Sequence, residues 1–181
     1  MRCFIKAIGL LVVGLLVAII GYPILHELGH AVIALIVGAR VIEINILPLP
    51  NVLCDVENVD CASMVAIGLS GMIVPLLIST IIKSKLFLAW YANYIVKVIS
   101  LLAFIISAIS SVCFMVGKPL PNDDITQILI VWSGGERMCL LLSIAFAAIT
   151  IRMLILEKPI ERCLVYFEGS QKIGAVKKQA Q

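Results

Sequence analysis

Long apolar runs alternate with short polar breaks along this chain, and the breaks mark where elements should end. Residues 4–21 form the first run, led by Arg2 and Lys6. It resembles a secretory signal, yet no small-residue cleavage site follows; Gly21-Tyr22-Pro23 comes next. The expectation is a retained span with its N-terminal end in the cytoplasm. Residues 22–38 predict a second helix, closed by Gly38. Pro23 suits either the first turn of a new helix or a kink in a continuing one. Gly29 and Ala31 are small enough to let a neighbour approach. Residues 41–47, V-I-E-I-N-I-L, alternate and are β-branched, which predicts a strand ended by Pro48 and Pro50. Residues 51–61, with Asp55, Glu57 and Asp60, read as a solvated acidic loop.

Residues 62–82 predict a clean span in which Gly68, Ser70, Gly71 and Pro75 suit tight helix contact and a kink. Lys83 and Lys85 bound it. Residues 86–116 are either one long tilted helix or an interfacial segment followed by a span from about Ile95. Snorkelling accounts for Lys97 near the start of that span. A turn at residues 117–124 opens a further helix. Residues 125–132 are apolar but too short to cross, Gly134-Gly135 break them, and residues 136–156 can span. The region reads as one broken helix whose first half is buried in protein. Glu157, Lys158 and Pro159 end it, and a mixed tail follows with Lys172, Lys177 and Lys178.

Composition sets the class. The chain has 181 residues, 62% hydrophobic and 14% charged, with a mean hydropathy of +1.13. Soluble domains are nearer half apolar and a quarter charged. The prediction is an all-α polytopic, multi-pass integral membrane protein with about five to six transmembrane helices and a short β element. In a prokaryote it would sit in the cell membrane. The membrane-embedded unit is expected over residues 1–160, with a polar, basic tail at 161–181. A net charge of +3 is too small and dispersed for nucleic acid; the basic groups flank apolar runs, as topology signals do. They make both ends look cytoplasmic, which five full spans do not allow. A half-crossing segment near 124–133 would supply a sixth. Six cysteines (3, 54, 61, 113, 139 and 163) form no C-x-x-C pair. Cys54 and Cys61 share one polar loop and are a disulfide, free thiols or extra metal ligands.

The chemistry centres on His26-Glu27-Leu28-Gly29-His30, an H-E-x-x-H string that uses both histidines of the chain. Residues four apart lie on one helix face, so the two imidazoles can hold one divalent metal, ordinarily zinc. Glu27 is then placed as general base toward a water activated by the metal. Catalytic zinc takes three protein ligands. With no third histidine, the third must be an acid: Glu43, Asp123, Asp124 or Glu136. Capping the helix that follows is the ordinary role of Asp123 or Asp124; one can cap while the other binds metal.

These residues resemble the site-2 protease family of intramembrane zinc metalloproteases. There, H-E-x-x-H lies on one membrane helix and a later helix supplies an aspartate from an L-D-G motif. The first motif matches at His26, Glu27 and His30; the second matches loosely at residues 120–129, with Ile125 where the family has glycine. The resemblance spans roughly residues 20–135. It implies a Zn²⁺ held by His26, His30 and Asp124 (alternatively Asp123), with Glu27 catalytic. It also implies membrane-protein or peptide substrates within the lipid bilayer, and a strand at 41–47 that pairs with the unwound substrate. The rival readings are a zinc protease with Glu136 as third ligand, and a non-catalytic metal-binding protein that binds other membrane proteins. A di-iron desaturase would need more histidines, and a transporter would need paired broken segments that the chain lacks.

Overall fold

The computed structural model describes residues 2–45, 50–121 and 123–168. Ile46, Leu47 and Pro48 of the predicted strand and its end lie outside the described residues, as do Lys172, Lys177 and Lys178. The chain begins with α1 (Arg2–Leu16), passes through a π-helical turn (Val17–Gly21) and continues as α2 (Tyr22–Ile36). Pro23 explains the turn. It has no N–H to give to Ile19, and its ring would strike that carbonyl in a regular α-helix. The helix widens instead, and Tyr22 N–H donates to the carbonyl of Val17, five residues back. The proline therefore marks a deformation inside one helix. Gly38 ends α2 with φ +84, while Ala39 N–H reaches back to Ala34 C=O at 2.9 Å. That is a glycine-closed Schellman end.

The strand expected after α2 is β1 (Arg40–Asn45). Its partner overturns the acidic-loop reading of 51–61, because Asn51–Asp55 is a second strand, β2, antiparallel to β1 with Asn45 opposite Asn51. Asn45 Nδ2 donates to Asn51 Oδ1 across the pair at 3.1 Å. Cross-strand pairing outweighs the polar composition that suggested a loop. Of the three acids, Asp55 accepts from Glu57 N–H, and Asp60 caps the next helix by accepting from Ser63 N–H at 2.8 Å.

The remaining helices are α3 (Cys61–Ile81), α4 (Phe87–Met115), α5 (Asp124–Val131) and α6 (Glu136–Leu156). Residues 159–168 add a further helical segment after Lys158, whose φ is 49. Residues 87–115 are one long helix, without an interfacial break at Ile95. α5 has eight residues with Ile125, Ile128 and Leu129 buried, and Gly134 (φ +83) separates it from α6. The core joins those three to Met72, Leu76, Phe104 and Cys139.

Four helical stretches among the described residues are long and apolar enough to cross a membrane: Cys3–Ile36, Cys61–Ile81, Phe87–Met115 and Glu136–Glu168. The expected five to six counted 4–21 and 22–38 separately, whereas they form one continuous rod.

Most buried hydroxyls are handled locally, with Ser110 Oγ left without a partner among the described residues. Ser100, Ser107 and Ser111 of α4 and Ser143 and Thr150 of α6 each donate to the carbonyl four residues back. Lys97 does not snorkel. It is 4% exposed and pairs with Glu157 at the end of α6, which also accepts from Trp90 Nε1 at 2.9 Å. The sequence placed Glu157 in a helix stop sixty residues away, so nothing local connected the two.

α2 packs closely on α3 because a side chain is missing at the crossing. A Cβ on Gly29 would lie 2.6 Å from the Ser70 carbonyl oxygen. Gly29→Ala is expected to cost about 1–3 kcal/mol by overpacking, read as a lower unfolding temperature in detergent. Gly9→Ala, where nothing lies within 4 Å, serves as the control and should leave that temperature nearly unchanged.

Candidate metal centre

Three elements converge near the hairpin end of the helices. α2 carries His26, Glu27 and His30; α3 lays its backbone against them; the first turn of α5 brings Asp124. His26 Nε2 lies 3.1 Å from His30 Nε2 and 3.0 Å from Asp124 Oδ2, and His30 Nε2 lies 3.5 Å from the same oxygen. Two ligands at about 2.0–2.1 Å from a tetrahedral ion stand roughly 3.3 Å apart. The three separations bracket that value.

The His30 ring orientation fits the same use, whereas His26 Nδ1 is buried with no partner among the described residues. His30 Nδ1 donates to the Ile67 carbonyl at 2.7 Å, an outer contact that metal-bound histidines commonly make. With that proton on Nδ1, a neutral His30 presents a bare lone pair at Nε2, toward a carboxylate oxygen and a second imidazole. Two acceptors in this arrangement need a cation or a proton between them. Zinc accepts two imidazoles and one carboxylate readily. The residues therefore fit a divalent metal with His26, His30 and Asp124 as its donors.

Helix packing imposes the convergence. A Cβ on Gly71 would collide with both imidazoles, so the glycine lets α3 press its main chain against the two rings. Asp123 performs the other task open to the pair: its side chain caps α5, accepting from Thr126 N–H at 3.1 Å. A helix start turns adjacent residues about 100° apart, so one aspartate caps and the next faces α2. The structure thus brings Asp124 to the histidines, and neither Asp123 nor Glu136 joins them. Glu43 is exposed on β1, opposite Leu53.

A cavity of about 420 Å³ opens beside the cluster, lined by Glu27, His30 and Asp124 together with Val52, Cys54 and Gln127. The bordering strand is β2, which takes the place the sequence gave to β1. Cys54 and Cys61 are free thiols. Burial, with the Glu27 charge beside it, pushes the Cys54 thiol up, and the residues that converge as possible ligands are His26, His30 and Asp124.

Sequence reasoning missed several residues at this site. Tyr22 is one turn before His26; its ring lies 6.2 Å from the imidazole and its buried hydroxyl has no partner. The four-residue spacing from His26 was a legible signal. Gln127, one turn after Asp124, carried the same kind of signal. Val52 had none, because its position depends on the hairpin, whereas Cys54 is one of the possible extra ligands the sequence offers. No family model, curated protein or solved structure matches this chain.

Elemental analysis of detergent-purified protein should find one zinc per chain. Asp124→Ala and His26→Ala should abolish it. Asp123→Ala should keep the metal while losing about 1 kcal/mol of stability with its helix cap. Equal zinc in wild type and Asp124→Ala would remove Asp124 from the ligand set.

Proposed function

We propose that the protein is an intramembrane zinc metalloprotease of the site-2 protease type, acting on peptide bonds in or near transmembrane segments of membrane proteins. The observation that carries this reading is the convergence of His26, His30 and Asp124 on one point, with Glu27 in the wall of the adjoining cavity. A site that only stored metal would have no use for a carboxylate there.

A bound Zn²⁺ would supply Lewis-acid polarisation of a peptide carbonyl and acidification of water. His26 and His30 would hold the ion through Nε2, and the Ile67 carbonyl fixes the His30 ring. Glu27 accepts a proton from water in the cavity and returns it to the leaving amine. β2 borders the cavity through Asn51, Val52 and Cys54, and an extended segment of substrate would pair there. This matters because a substrate helix hides its own carbonyls until it unwinds.

Four crossings are the topology we infer. They put residues 2–6 on the same face as the end of α6, consistent with Lys6 lying over the Tyr166 ring. Lys83, Lys85, Lys158 and Arg162 share that face by helix order. The hairpin and the cavity lie at the other, which holds Glu43, Asp55, Glu57 and Asp60 and fewer basic residues, Arg40, Lys118 and Arg137. The excess of basic residues marks the first face as cytoplasmic, so the cavity opens nearer the opposite one. The conflict between two cytoplasmic-looking ends and five spans disappears.

Two measurements bear on this reading. Glu27→Gln should retain zinc and lose cleavage of a reporter transmembrane substrate by about 10²–10⁴-fold; an unchanged rate would rule Glu27 out as the base, and zinc without any cleavage in wild type would favour a non-catalytic metal protein. Native cysteines report the topology. A membrane-impermeant maleimide applied to intact cells should label Cys61, and should reach Cys3 and Cys163 only after permeabilisation. The reverse pattern would put the cavity on the cytoplasmic side.

A further inference from the structure

We infer a second site, at the opposite end of the helices from the metal cluster, that binds the phosphate group of an anionic phospholipid. A cavity of about 650 Å³ lies between the start of α4 and the helical segment 159–168, with Lys85, Phe87, Trp90, Glu161, Arg162 and Tyr166 in its wall. A second space of about 400 Å³ shares Ser84, Trp90 and Arg162 and adds Lys83.

The walls are held in place by contacts that the metal chemistry does not use. Trp90 is buried and pinned through its indole N–H to Glu157, whose other oxygen takes Lys97. The Arg162 guanidinium lies over the Trp90 ring, 5.0 Å from its centroid, so an aromatic face orients the cation. Tyr166 stacks on Phe87 at 3.9 Å between centroids, and Lys6 covers its ring at 4.1 Å.

Charge decides the ligand. Glu157 is matched by Lys97, and Glu161 by Lys158 at 3.2 Å. Among the described residues no carboxylate pairs with Lys83, Lys85 or Arg162. Lys85 and Arg162 border the larger cavity and Lys83 and Arg162 the smaller; with Glu161 of the larger wall already paired to Lys158, the unmatched charge there is positive and calls for an anion, and arginine and lysine favour phosphate oxygens. The rim indicates what carries the phosphate. Val165 lines the cavity and is exposed, as are its chain neighbour Leu164 and Leu86 next to Lys85, which suits acyl chains and is useless to a free inorganic ion. Ordinary topology signals would give the lysines but not an arginine fixed on a pinned tryptophan.

This inference rests on the membrane character of the chain and not on the protease reading, so the two fail separately. The test is native mass spectrometry of the full chain released from nanodiscs of mixed phosphatidylglycerol and phosphatidylcholine. Wild type should retain phosphatidylglycerol in preference to phosphatidylcholine on the order of tenfold. Arg162→Gln combined with Lys85→Gln should lose the preference, and Lys118→Gln at the far end should keep it. An unchanged thermal transition in the double variant would separate loss of lipid from loss of fold. Displacement of the lipid by millimolar inorganic phosphate would assign the site to free phosphate. Equal retention of both lipids by wild type, or equal loss in Lys118→Gln, would overturn the site.

Discussion

The contact between α2 and α3 is the constraint on which the rest depends. Two helix backbones meet where Gly29 faces the Ser70 carbonyl and Gly71 faces the imidazoles of His26 and His30. Any side chain at either glycine would push the helices apart. Their closeness lets the Ile67 carbonyl of α3 reach a ring nitrogen of α2. It also fixes the floor on which α5 rests: Gly68, one turn before the crossing, meets the side chain of Ile128. The aspartate that completes the cluster is thus positioned by the same stripe of small residues that packs the helices. Packing and site chemistry here are one design, and a volume change at the crossing acts on both.

A second theme is the treatment of polar groups in an apolar setting. Serines and threonines of α4 and α6 return their hydroxyl protons to their own helix, which leaves small surfaces for close contact. Lys97 is the expensive case. A buried ammonium is tolerable only with a fixed partner, and Glu157 supplies it from the end of another helix. The pair also orders Trp90, so one costly charge organises a whole end of the bundle.

How much of this was legible beforehand follows the range of the interactions. Helix ends at Gly38 and Gly134-Gly135, the strand after α2 and the short buried α5 were all readable, because glycine, proline and alternation act within a few residues. His26, Glu27 and His30 were readable because a helix fixes their spacing. The choice of Asp124 over Asp123 was not, since it depends on which residue caps, and that is decided by the direction from which α5 enters. β2 hid behind its polar composition, and the Lys97 partner lay sixty residues away. The two leading spans looked separate because Gly21-Tyr22-Pro23 reads as punctuation, whereas a widened turn absorbed it.

That widened turn has one more effect. A π-turn is equivalent to one residue inserted into an α-helix, and each residue turns the helix by about 100°. Everything after Gly21 is therefore rotated by about that angle relative to α1. The exposed face of α1 and the face of α2 that carries His26 and His30 belong to different phases of one rod. Removing a single residue from 17–21 would cancel that rotation, leave Pro23 to clash with the preceding turn, and swing His26, Glu27 and His30 away from α3 together. The register of the site is thus kept by chain length in a stretch that contains none of its chemistry, where a one-residue deletion would do more harm than most substitutions.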